Sequence, residues 1–180
     1  MRILHLFSIF WLSISLSANS PVLNKDSITH PEVGLEGMVV TQHYLASEVG
    51  EAILNKGGNA YDATIAVAFA LAVVLPRAGN IGGGGFTVLY NSSDESFQSL
   101  DYREKAPLAA SKNMYLDKNG DVISNLSTLG YKAIAVPGTV DGMWELHKKY
   151  GSMDWKELIA PSIKLAKEGF RVSPLMADTL

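Results

Sequence analysis

The chain predicts a layered α/β fold, α+β in character, and three observations carry that reading. Apolar residues recur at helical spacing in segments that end on glycine. One β-hairpin pattern follows a glycine-rich stretch. A long helical segment, apolar at nearly every residue, separates the two, as a buried helix beside a sheet requires. The 180 residues hold one domain's worth of chain, with 47% hydrophobic and 18% charged residues, enough for a real core. The net charge of −3 and the absence of any basic patch argue against a nucleic-acid partner.

The elements follow in order. Met1 and Arg2 give a short positive start, and Ile3 to Leu16 are apolar apart from His5, Ser8, Ser13 and Ser15. Small residues cluster at Ser15, Ser17 and Ala18. This is the pattern of a secretory signal over 1–18, cut after Ser17 or Ala18. The apolar run is too short and too broken for a stable membrane span, so none is expected once the signal is removed. With no cysteine in the chain, secretion points to a bacterial periplasm rather than to a disulfide-built ectodomain. Residues 19–36, with Pro21 and Pro31, read as an extended leader, and 37–180 as the folded part.

Met38-Val39-Val40 is a short β-like run. A helix is expected over Ala46–Lys56, where Val49, Ala52, Ile53 and Lys56 repeat at helical spacing and Gly57-Gly58 stops it. A second helix opens at Asn59 as cap, with Asp62 in its first turn, and runs to Leu75 before Pro76. Being apolar on all sides, it should be buried. After the glycines of 79–85, Phe86–Tyr90 and Phe97–Tyr102 read as the two strands of a hairpin around a turn at Asn91–Glu95. Lys118-Asn119-Gly120-Asp121 is a turn and Ala133–Val136 a further strand, broken by Pro137-Gly138. A helix runs from Val140 to Tyr150 and stops at Gly151. Asp154 and Glu157 have capping-box spacing for the next helix. Pro161 should interrupt that helix and restart it, and Gly169 should close it. Ser173-Pro174 opens one more helix, and its lack of a stop signal before Leu180 leads us to expect a chain that continues.

Few patterns carry chemistry by themselves. The glycine run is no P-loop, because Phe86-Thr87 stands where Gly-Lys-Ser/Thr is needed, and it lies helix-before-strand, the reverse of a dinucleotide fingerprint. Close packing is the simpler role. His30, His43 and His147 lack metal-ligand spacing, so no metal is expected, and no cofactor motif is present. There is no Gly-x-Ser-x-Gly elbow and nothing that identifies a nucleophile. Asp101 and Glu104 flank Tyr102-Arg103. An arginine between two carboxylates keeps them ionised, so they read as its orienting partners rather than as an acid–base pair. On pattern alone Arg103 is either a surface ion-pairing residue or a ligand clamp.

A succession of motifs then narrows the reading. Gly57-Gly58-Asn59-Ala60-Tyr61-Asp62-Ala63 is followed by Pro76-x-Ala78-Gly79-Asn80-Ile81-Gly82-Gly83-Gly84-Gly85-Phe86 and by Asp101-Tyr102-Arg103-Glu104-Lys105-Ala106-Pro107. Val136-Pro137-Gly138-Thr139-Val140, Lys149-Tyr150-Gly151, Pro161-x-Ile163-x-Leu165-Ala166 and Glu168-Gly169-Phe170 come after them in order. From about Gly37 to Leu180 the chain closely resembles the N-terminal part of the large subunit of bacterial γ-glutamyltransferases. This set is otherwise familiar only in close relatives such as the cephalosporin acylases.

The resemblance implies an N-terminal-nucleophile hydrolase with a four-layer αββα sandwich, of which this chain holds part. It implies a precursor that cleaves itself and a small subunit whose new N-terminal threonine is the nucleophile, in a Thr-Thr-His-type motif. No such motif occurs in this sequence, so no catalytic residue is expected within it. The residue it implies here is Arg103, which would bind the α-carboxylate of the γ-glutamyl group, with Glu104 in support. The implied activity is cleavage of the γ-glutamyl amide of glutathione and related γ-glutamyl compounds, with transfer to water, amino acids or peptides and without metal or organic cofactor. An acylase acting on another amide, or a truncated product without catalysis, are the alternatives at this point.

Overall fold

The computed structural model of the chain describes residues 33–178. The expected signal sequence and most of the expected leader lie outside these residues. Gly37–Leu180 forms one compact unit. Of the stretch before it only 33–36 are described, and they form no helix or strand.

Helix α1 (Tyr44–Asn55) begins where His43 Nδ1 accepts the Leu45 N–H, and Gly57, at φ 91°, turns the chain away at its end. The run Met38–Val40 forms no strand. It has no ladder partner among the described residues, and Val39 instead lies against Gly50 of α1, where a Cβ would come within 2.7 Å of its Cγ1.

Helix α2 (Ala60–Val74) starts with a reciprocal cap. Asn59 Oδ1 accepts from the Tyr61 and Asp62 backbone N–H groups, and Asp62 Oδ2 accepts from the Asn59 N–H. Its burial is less uniform than its nearly all-apolar sequence predicts. Ala63, Ile65, Ala66, Ala70 and Val74 are buried, while Val67, Phe69, Leu71 and Val73 are half-buried. α2 packs against α1, α3 and α4, and three helical neighbours do not close around a fourth.

Strands β1 (Phe86–Asn91) and β2 (Ser96–Asp101) form an antiparallel pair, from Phe86 opposite Asp101 to Asn91 opposite Ser96. The Tyr102 N–H continues the ladder to Gly85 O at 3.1 Å. One face turns Leu89 and Leu100 inward, and the other exposes Phe86, Val88, Tyr90 and Phe97. The chain is thus α+β, with helices and a two-stranded antiparallel sheet. The predicted strand at Ala133–Val136 is absent. Tyr131–Ala133 is a single 3₁₀ turn, and only Val136 forms a β-bridge, with Lys105. Pro137 has no N–H to extend that pairing.

Helix α3 (Thr139–Tyr150) and helix α4 (Trp155–Glu168) complete the core. Ile53, Ile65, Leu89, Met143, Leu146 and Leu158 bring α1, α2, β1, α3 and α4 into one apolar cluster. Trp155 sits edge-on to both Phe69 and Trp144 at its margin. Two expectations for α4 are corrected. Asp154 is the cap residue but its side chain makes no capping bond. Pro161 does not interrupt the helix, which runs through it unbroken, because the buried Leu158 and Ser162 hold both sides of the proline against α2. Gly169, at φ 77°, ends α4 as expected. Helix α5 (Pro174–Ala177) opens on Ser173, whose side chain accepts the Met176 N–H.

Candidate functional site

Arg103 follows the end of β2, where the chain leaves the hairpin. Its own N–H donates to Asp101 Oδ1 at 2.9 Å, so Asp101 shapes the backbone and not the guanidinium. Glu104 is the guanidinium's partner, with Oε2 3.1 Å from Arg103 Nε. The guanidinium carbon lies 5.7 Å from the centre of the exposed Phe86 ring. The Arg103 side chain is 62% exposed. An ion pair through Nε, on a side chain this open, leaves both terminal nitrogens for a further partner. Two parallel N–H donors match a carboxylate.

The segment carrying Arg103 is pinned at both ends. Tyr102 bonds to Gly85 on one side, and Lys105 exchanges two backbone hydrogen bonds with Val136 on the other, at 3.1 and 2.8 Å. The glycine run beside it is tied in turn to the start of α3. Gly83 O accepts from the N–H groups of Gly138 and Thr139, and Asn80 Oδ1 accepts from the Gly83 N–H and the Thr139 hydroxyl. The run therefore works as a structural strut against the hairpin end. No helix begins within it, which agrees with its failure as a phosphate loop.

A second polar cluster escapes sequence reasoning. Asp62 is fully buried, and besides capping α2 it accepts from the Ser152 N–H at 3.1 Å and the Ser152 hydroxyl at 2.5 Å. Burial pushes its carboxyl up. The bonds from the Ser152 hydroxyl and from the backbone of Asn59, Ser152 and Met153 outweigh that and hold it below its ordinary value of 3.8. Asn59 Nδ2 adds a 2.7 Å bond to Tyr150 O. The cluster locks the start of α2 to the α3–α4 loop.

The histidines divide. His43 caps α1, His147 Nε2 meets Met153 O at 2.8 Å, and His30 lies outside the described residues. Among the described residues no group of three or more His, Cys, Asp or Glu side chains is placed to hold a metal. A groove of about 460 Å³ runs between β2 and α3, lined by Leu89, Gln98, Leu100, Leu146, Lys149 and Tyr150. Gln98 Oε1 already accepts there from Lys149 Nζ and the Tyr150 hydroxyl. Among the described residues no helix is long and apolar enough to cross a membrane.

Comparison with known proteins places these features in context. The family model for gamma-glutamyltranspeptidase matches residues 46–180. A glutathione hydrolase proenzyme of Pseudomonas sp. (strain A14) is 52% identical over 165 residues, covering 91% of this chain and 28% of the relative. One from Pseudomonas aeruginosa is 54% identical over 137 residues, covering 76% of this chain and 24% of that protein. The crystal structure of Helicobacter pylori gamma-glutamyltranspeptidase superposes with a TM-score of 0.79 at 51% identity, over 83% of this chain and 43% of that one. The chain thus spans less than a third of the length of these two curated relatives.

Proposed function

Since this chain belongs to the gamma-glutamyltranspeptidase family, we propose that it is part of a glutathione hydrolase and supplies the clamp for the α-carboxylate of the γ-glutamyl substrate. The observation that carries this reading is Arg103, exposed at the hairpin end, with Nε engaged by Glu104 and its terminal nitrogens available. A guanidinium so oriented grips a carboxylate through two charge-assisted bonds. Glutathione and other γ-glutamyl compounds offer one at the end of the substrate remote from the scissile amide.

In this reading the described residues belong to a four-layer αββα sandwich completed by a small subunit from the same self-cleaved precursor. The proenzyme names of the relatives support a precursor form. The small subunit's N-terminal threonine hydroxyl attacks the γ-amide carbonyl carbon, and its own α-amine takes the proton. An oxyanion hole stabilises the tetrahedral state. The C–N bond breaks, cysteinylglycine leaves with the proton on its amine, and a γ-glutamyl ester remains. Water then releases glutamate, or the amine of an amino acid or peptide takes the glutamyl group. Arg103 contributes by fixing the far end of the substrate so that the reacting carbon stays in line with the nucleophile. The signal-like start at 1–18 fits export to the bacterial periplasm.

The test is steady-state kinetics of Arg103→Lys in the full-length, self-cleaved enzyme with a γ-glutamyl anilide. Losing the bidentate fork should raise KM roughly tenfold or more, the scale of one charge-assisted hydrogen bond. A KM equal to that of the wild type would sink the reading. Self-cleavage without any γ-glutamyl turnover would redirect it to another amide substrate.

A further inference from the structure

Four glycines from two separate stretches, the glycine run and the start of α3, meet on one residue, Tyr102. Gly84 lies in the glycine run, and a Cβ there would come within 2.5 Å of Tyr102 O, 2.7 Å of the Glu104 N and 2.8 Å of the Arg103 Cα. At Gly85 a Cβ would lie 2.9 Å from the Tyr102 ring. Gly138, which caps α3, would drive a Cβ into the Tyr102 carbonyl, with the carbonyl carbon at 2.9 Å. Gly142, inside α3, would put one against the ring's root, 2.5 Å from Tyr102 Cβ. A real Cβ does not reach such distances, so any side chain at these positions must displace Tyr102. Most of the colliding atoms are backbone or the base of the ring, which cannot swing aside. Gly82 of the same run is different, with open space where its Cβ would be.

Gly142 is the most telling of the four. Glycine inside a helix costs roughly 1 kcal/mol relative to alanine, so its presence in α3 calls for a packing reason. The half-buried Tyr102 ring is that reason, and its hydroxyl accepts from the Thr87 hydroxyl across a long 3.3 Å.

We propose that Gly84, Gly85, Gly138 and Gly142 form a clasp that seats Tyr102, and that Tyr102 acts as a positioning residue setting the place of Arg103. The inference rests on the reading of Arg103 as the carboxylate clamp and adds what holds that clamp in register. Neighbouring residues on one extended stretch share a backbone, so a shift of Tyr102 moves the Arg103 Cα with it. A displacement of this size at a binding group is felt strongly in substrate placement.

Four changes in the full-length self-cleaved enzyme test it: Gly84→Ala, Gly142→Ala, Tyr102→Ala and the control Gly82→Ala, with Arg103→Lys measured alongside. Rates are taken per titrated active site. The first three should raise KM for the γ-glutamyl donor roughly tenfold, with kcat changed less, and Gly82→Ala should leave it unchanged. Tyr102→Phe should restore most of what Tyr102→Ala loses, since the ring and not the hydroxyl fills the clasp. If Arg103→Lys raises KM while Gly142→Ala and Tyr102→Ala only lower the melting temperature, the clasp is purely structural and the inference is overturned, with the clamp reading intact. A Gly82→Ala effect equal to that of Gly84→Ala overturns it as well. If Arg103→Lys leaves KM unmoved, the clamp reading itself falls and the clasp positions nothing. Should the glycine variants not fold, the Tyr102→Ala and Tyr102→Phe pair decides, because it removes volume rather than adding it.

Discussion

Asp62 holds more of the structure than its position suggests. Its carboxylate is fully buried with no cation beside it among the described residues, and it is kept ionised by four donors, one from Asn59 and three from Ser152 and Met153. Replacing it with Asn puts an amide N–H₂ among those donors. The expected loss is about 1–3 kcal/mol of stability at neutral pH, read as a lower melting temperature. The sign of the pH dependence follows from the lowered carboxyl. Stability from a depressed carboxylate is complete above its ordinary value of 3.8 and is lost as pH falls through the folded value. The gap between wild type and Asp62→Asn should therefore be flat through neutral pH and narrow below 3.8. A gap that persists unchanged into stronger acid would mean that the carboxylate's charge contributes nothing. Arg103 stands at the opposite extreme. It is open to solvent, its pairing with Glu104 contributes little to folding, and its substitution belongs to kinetics rather than to stability.

Among the elements, α4 departs most from local rules. Pro161 is its seventh residue, so one turn-to-turn hydrogen bond to Glu157 O is absent and the ring crowds that carbonyl. Burial of Leu158 in the core against α2 compensates, although the Ser162 hydroxyl is buried with no hydrogen-bond partner among the described residues. Pro161→Ala restores the bond and should stabilise the protein by about 1–3 kcal/mol. An increase in the thermal midpoint checks this, and a decrease would show that the proline ring's packing outweighs the missing bond. The hairpin obeys its local rules except at Glu95, a non-glycine residue at positive φ. Asn91 and Asp94 accept backbone N–H groups within the turn, and Glu95 takes the left-handed conformation, at φ 53°.

At the scale of the whole molecule, the outer sheet face is the main unsettled surface. Val88 is 78% and Phe97 77% exposed, beside Phe86 and Tyr90. An apolar, ordered sheet face of this kind favours association. The chain expressed as these 180 residues should self-associate, and Val88→Lys should reduce the association, as read by light scattering of the two proteins at equal concentration. Equal scattering would remove the face as its cause.

What the residues determine by themselves is local. Asn59 and Asp62 announce a helix start, Gly57 and Gly169 two helix ends, and Phe86–Tyr102 a hairpin, because caps, turns and strand alternation depend on neighbours a few positions away. The ordered motifs from Gly57 to Phe170 likewise suffice to identify the family, and the match over 46–180 agrees. Tertiary structure alone decides the rest. Asp62 meets Ser152, Asn80 meets Thr139, and Gly142 meets Tyr102 across long stretches of chain. Each of these contacts exists only once α2, α3 and the hairpin share a core. The same core carries α4 through Pro161 and denies Met38–Val40 and Ala133–Val136 their strands, since a strand needs a partner beside it and a helix does not. Gly142, like Gly50 in α1, is a glycine where a helix prefers alanine. Its reason, the seat of the Tyr102 ring, lies forty residues earlier in the chain.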